Sequence, residues 1–146
     1  MKILVSACLL GENCKYSGGN NKNEEIIELG KKHRLIAVCP EKLAGLPIPR
    51  PPAEIRDGRV YNKSGLDITD LFADGAEKAL YVAEESGCQL AILKERSPSC
   101  GFRKIYDGTF TGNLTDGNGF AADLLYNNGI TILGESQISK VKNFEE

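Results

Sequence analysis

The stretch LAILKERSPSCG (Leu90–Gly101) starts as an uninterrupted apolar run and then turns polar, passing through Ser97-Pro98-Ser99 to set Cys100 against Gly101. Three other runs share its opening: ILVSA (Ile3–Ala7), LIAVC (Leu35–Cys39) and ITILG (Ile130–Gly134). All are short, rich in β-branched residues and not alternating, the pattern of strands covered on both faces in a parallel sheet. Helical patterns fall between them. NEEIIELGKKH (Asn23–His33) carries its acids first and its bases last, and DITDLFADGAEKALYVAEES (Asp67–Ser86) brings Leu71, Ala79, Leu80 and Val82 towards one stripe ahead of Gly87. GFAADLLYNNG (Gly119–Gly129) ends at Asn-Gly, and a last helix is expected from Ser136. Asp57-Gly58 and Asp107-Gly108 each sit between β-like residues and are expected to make hairpins with type I′ turns. Repeated βα units predict an α/β protein: a three-layer, Rossmann-like fold with an open, mostly parallel sheet of about four strands plus β-hairpin insertions.

The chain has 146 residues, with 41% apolar and 26% charged side chains, and neither repeats nor a linker interrupt it, so a single domain over 1–146 is expected. A net charge of −2 with dispersed lysines and arginines argues against duplex nucleic acid or an anionic membrane as partner. No segment approaches the ~18 apolar residues of a membrane span. The start, MKILVSACLLGENC, breaks at Gly11-Glu12 and reads as the first strand rather than a signal peptide, so a cytoplasmic location is expected. The oligomeric state is not legible in the sequence.

Five cysteines are present: Cys8, Cys14, Cys39, Cys88 and Cys100. An odd number without a secretion signal fits poorly with a disulfide framework. Ligands in open parallel sheets bind at the carboxyl ends of the strands. Cys8 follows the first strand, Cys39 closes the second and Cys100 lies in the loop leaving the third, so these thiols share one edge. Cys14 lies in the loop after the first strand, on the same edge, with its role open. Cys88 falls at the opposite, amino edge and reads as a small buried hydrophobe. The sole histidine, His33, is expected at the surface, away from the thiols. Structural zinc sites draw ligand pairs from short motifs such as Cys-x2-Cys, which are missing here. An iron–sulfur cluster accepts dispersed thiolates. Placement alone leaves cluster, zinc and a nucleophilic cysteine all open.

The loop CPEKLAGLPIPRPPAE (Cys39–Glu54) holds five of the six prolines. It sets Glu41 just past Cys39 and Arg50 between two prolines. A stiff loop locates charged side chains at low entropic cost, which suits a site. Glu41 beside a thiolate would serve as general acid or base. Ser97 and Ser99 either position a substrate or cap their loop.

The motifs SACLLGENCKYSG (Ser6–Gly18), VCPEKLAGLPIPRPPAE (Val38–Glu54) and LKERSPSCG (Leu93–Gly101) together resemble the thiouracil desulfidase (TudS-like) family, over nearly the whole chain. The resemblance implies a 4Fe–4S cluster held by only three cysteines, which fall on Cys8, Cys39 and Cys100, and a fourth iron that takes the sulfur of a small thiolated pyrimidine such as 2-thiouracil. It implies catalytic roles for Glu41 and Ser97. Ser99, Arg50 and Lys15 lie in loops of the same pocket and are the expected substrate contacts. Such an open-site cluster is oxidised and lost in protein prepared in air. Lys15-Tyr16-Ser17-Gly18 departs from the family's common Arg-Tyr-Asp-Gly, and Ala44 stands where glycine is common; both changes leave the ligands intact. Two rival readings remain: a cluster-free sulfur transferase with Cys100 as nucleophile, and a non-enzymatic module that binds zinc or a cluster.

Overall fold

The computed structural model describes residues 1–145. In chain order the elements are β1 (Lys2–Ser6), a 3-10 turn (Ala7–Leu10), α1 (Glu24–Leu29), β2 (Arg34–Val38), α2 (Pro40–Leu43), β3 (Ala53–Arg56), β4 (Arg59–Asn62), α3 (Thr69–Ser86), β5 (Leu90–Leu93), β6 (Lys104–Tyr106), β7 (Leu114–Asp116), α4 (Phe120–Asn127), β8 (Thr131–Gly134) and a 3-10 tail (Glu135–Phe144). The four apolar runs form one parallel sheet in the order β2-β1-β5-β8, flanked by the hairpins β3-β4 and β6-β7. This is the α/β architecture expected.

Crossover handedness explains the three layers. The step from β1 to β2 moves one way along the sheet, and the steps to β5 and β8 move the other way. Right-handed crossovers therefore put α1 on one face and α3 and α4 on the opposite face. The packing agrees. Ile3, Val5, Leu90 and Ile92 pack with Ile26 of α1 and Val141 of the tail, while Leu4, Ala91 and Leu93 pack with Ala83 of α3 and Leu125 of α4. Fully burying each such aliphatic side chain stabilises the fold by about 1.5–3 kcal/mol. Among the described residues, no helix is long and apolar enough to cross a membrane.

Several local expectations need correction. The Asp57-Gly58 turn has both residues at positive φ (52° and 75°), as a type I′ hairpin requires. Asp107-Gly108 makes no such turn: the link between β6 and β7 runs from Asp107 to Asn113. The reason is a distant competitor, since Glu54 Oε1 accepts hydrogen bonds from the backbone N–H of Gly108 and of Phe110. Helix α1 stops at Leu29, so Lys31 and Lys32 lie in the following turn rather than at its dipole end. On α3 the buried stripe is Phe72, Gly75, Ala76, Ala79 and Ala83, with Leu71 exposed. His33 is not a loose surface residue: its side chain is covered, and Nε2 lies 2.8 Å from Glu145 Oε1.

Gly75 is where α3 meets α2. A Cβ there would stand 2.2 Å from the carbonyl oxygen of Pro40 and 3.3 Å from Ala44 Cβ. Gly75→Ala should therefore lower stability by about 1–3 kcal/mol through overpacking, although alanine favours a helix interior by ~1 kcal/mol. A urea unfolding midpoint at or above that of the wild type would contradict this close approach.

Candidate functional site

At the carboxyl edge of the sheet, β1 and β5 lie side by side, and the chain leaves β1 towards β2 but leaves β5 towards β8, in opposite directions. Open α/β sheets bind ligands at such switch points. Strand pairing between β1 and β5 ends at Val5 and Ile92. The next amide there, the N–H of Lys94, donates to Ser6 Oγ at 2.9 Å. Beyond it opens a cleft of about 530 Å³ whose lining includes Cys8, Cys14, Cys39, Glu41, Ser99 and Cys100. That volume lies within the usual range of small-molecule sites.

Each thiol reaches the cleft by a different local device. Cys8 sits on the 3-10 turn directly after β1, and Asn21 Nδ2 donates to its sulfur at 3.4 Å. Cys39 is the N-cap of α2, so Glu41, expected in a loop, stands on a one-turn helix opened by Pro40. Cys100 is carried by the 97–101 turn. Ser97 Oγ accepts from the Cys100 N–H at 2.8 Å, and Gly101 N–H donates to the Ser97 carbonyl at 2.9 Å. A Cβ at Gly101 would stand 2.6 Å from that same carbonyl oxygen, so the turn closes only around glycine. Cys88 is buried at the far edge, as the sequence implied.

The thiols differ electrostatically. Burial pushes the Cys100 thiol up to about 12, and burial also raises Cys8 against the opposing Asn21 hydrogen bond. Cys39 is lowered to about 7, chiefly by a hydrogen bond from the Cys14 thiol, with the Lys42 N–H and Arg50 adding to the effect. Cys14, the donor of that pair, is raised. A metal-free Cys100 is thus a poor nucleophile at neutral pH, which counts against the sulfur transferase reading. Among the described residues, no group of three or more His, Cys, Asp or Glu side chains is gathered tightly enough for one metal ion. A multi-iron cluster binds each thiolate on a separate iron and suits thiols that share a cleft without converging on one point.

Beside the thiols lies a polar chain. Arg50 Nε donates to Glu41 Oε1 at 3.1 Å, and Ser99 Oγ donates to Glu41 Oε2 at 2.8 Å. Ser97 Oγ lies 3.4 Å from Ser99 Oγ. Ser99, not Ser97, is therefore the hydroxyl in contact with Glu41, and Ser97 caps the loop as well as touching Ser99. Arg50 also donates to the carbonyl oxygens of Cys14 (2.9 Å) and Pro47 (3.2 Å), so much of its guanidinium is engaged by protein rather than free for substrate. Lys15 lines the same cleft. So do Glu54, Tyr106 and Phe110 from the hairpins, which the sequence reading did not select. No local motif marks them, because they reach the cleft only through tertiary docking of the hairpins.

The 2-thiouracil desulfurase family model matches residues 3–137. The uncharacterized protein YbbK of Bacillus subtilis (strain 168) is 39% identical over 149 aligned residues, spanning 95% of this chain and 99% of that protein. The solved structure of the [4Fe-4S]-dependent thiouracil desulfidase TudS (DUF523Vcz) is similar with a TM-score of 0.92 and 43% identity, covering 98% of this chain and 96% of that one.

The Glu41–Arg50 pair is largely shielded, with side chains 16% and 5% exposed. Arg50→Ala should cost about 3–5 kcal/mol, because it strands a buried carboxylate. The double variant Arg50→Met/Glu41→Gln should recover part of that loss. A loss below about 1 kcal/mol in chemical denaturation, the cost of an exposed pair, would show that the pair is not doing this.

Proposed function

The chain belongs to the 2-thiouracil desulfurase family, and from that premise we propose that it is an enzyme that removes sulfur from a small thiolated pyrimidine, converting 2-thiouracil and water to uracil and hydrogen sulfide. Cys8, Cys39 and Cys100 would hold a 4Fe–4S cluster. The donor set fits such a group: three soft thiols enter one cleft from three strand ends, none paired in a disulfide. When bound, the cluster supplies a thiophilic Lewis acid that polarises the C=S group.

The rest is the work of side chains. Glu41 Oε1 is held by Arg50, which leaves Oε2 to face Ser99. We assign Oε2 the proton of the attacking water, with Glu41 returning it to the departing sulfur. Ser99 orients that carboxylate, and Ser97 stabilises the turn that carries Cys100 and completes the hydroxyl chain. Arg50 fixes Glu41 in place, and Lys15 in the lining of the cleft would meet the polar edge of the substrate. Proton transfer by a positioned carboxylate contributes typically ~10²–10⁴-fold. The observation that carries this reading is the meeting of the three thiols and the Glu41–Ser99 pair in one cleft.

Anaerobic reconstitution with iron and sulfide should give a brown protein with about four irons per chain that releases uracil and sulfide from 2-thiouracil. Cys39→Ala should lose both iron and turnover. Glu41→Gln should keep its iron while kcat falls ~10²–10⁴-fold. Full turnover by metal-free protein, or undiminished iron in Cys39→Ala, would reject the assignment.

A further inference from the structure

Phe110 lines the cleft on the side built by the hairpins and has a positive φ of 58°. A bulky residue in that region is an outlier, and such outliers concentrate where function requires them. The neighbouring Gly108 and Gly112 also have positive φ, 91° and 81°, so glycine stands at those two positions but not at 110. The backbone around the ring is fixed from outside its own hairpin. Glu54 Oε1, on β3, accepts from the Phe110 N–H at 3.1 Å and from the Gly108 N–H at 3.0 Å. The loop is pressed against β3 so closely that a Cβ on Gly108 would stand 2.6 Å from Arg56 Cβ. Among the described residues, the aromatic ring pairs are Phe72–Phe120 and Phe102–Tyr126, so Phe110 has no ring partner of its own.

A half-buried phenyl ring without a stacking partner, locked at the wall of a cleft that also holds thiols and a carboxylate, is suited to a flat aromatic ligand. Resting on the function proposed above, we propose that Phe110 is the platform on which the pyrimidine ring stacks, and that Glu54 is a positioning residue that holds the platform. The thiol wall recognises the sulfur of the substrate, and Phe110 recognises its planarity.

Phe110→Gly removes the ring at a backbone position glycine accepts readily, so the fold is not put at risk. Its melting temperature should equal or exceed that of the wild type. Its KM for 2-thiouracil should rise about 5- to 150-fold, the span of base–aromatic stacking, while kcat holds, because stacking binds ground and transition states alike. Glu54→Ala should raise KM in the same direction, and adding it to Phe110→Gly should raise KM no further. An unchanged KM in Phe110→Gly, or fully additive effects in the double variant, would overturn the proposal. Equilibrium dialysis of uracil against the reconstituted protein separates this proposal from the function it rests on. Uracil held by wild type and weakened in Phe110→Gly, with no turnover of 2-thiouracil, keeps the platform and discards desulfuration. Turnover with KM untouched by Phe110→Gly discards the platform alone. Neither turnover nor uracil binding discards both.

Discussion

Right-handed crossovers leave the neighbouring strands β1 and β5 in opposite directions along the sheet, and everything at the carboxyl edge follows from that reversal. Were the chain to leave β1 and β5 in the same direction, no crevice would open between their ends. Instead Ser6 takes the Lys94 amide where pairing stops, and the turns that follow β1, β2 and β5 share one cleft. The thiols therefore ride on the stiffest part of the molecule. Leu4, Val5, Ala91 and Ile92, just behind them, are fully shielded from solvent. A reactive centre held within fractions of an ångström needs such backing, because loops alone do not supply it.

Burying polar groups at that edge carries a cost that only complete pairing offsets. Among the described residues, every buried side-chain nitrogen or oxygen has a hydrogen-bond partner. Arg50 illustrates how. Its planar fork serves Glu41, the Cys14 carbonyl and the Pro47 carbonyl at once, tying the loop after β1 to the proline-rich segment after α2. A lysine has a single point of charge and could not span those acceptors. The same contacts fix one oxygen of Glu41 and leave the other with Ser99, so one network both satisfies the buried polar groups and holds the carboxylate to which we assign the proton.

What the sequence disclosed is governed by how local the deciding interaction is. The apolar runs, the βα rhythm and the Asp57-Gly58 turn depend on residues a few positions apart, and each is found in the structure. Grouping Cys8, Cys39 and Cys100 at one edge needed only strand direction and the switch-point rule. Asp107-Gly108 misled because Glu54, far away in sequence, takes the amides that a tight turn would have used. Leu71 is apolar yet exposed, whereas the α3 face against α2 needs the small Gly75 for close approach and Ala76 packs towards α4. The division of labour between Ser97 and Ser99 was invisible for a similar reason: which hydroxyl meets Glu41 depends on how two separate loops dock.

The cleft thus has two walls of different origin, and they answer to different constraints. Sheet ends, α2 and the 97–101 turn present the thiols and the carboxylate, where a small displacement would break several buried contacts at once. The hairpins contribute Glu54, Tyr106 and Phe110 from outside the main sheet, secured to one another by β3–β6 packing and the Glu54 amide contacts rather than by the sheet itself. A change in the hairpins reshapes one wall of the cleft without disturbing the thiols. A change in the sheet edge disturbs both. The two walls are separable in this fold because they are built on elements that pack against each other but do not share a ladder of backbone hydrogen bonds, and the proposed division between chemistry and ring recognition rests on that separation.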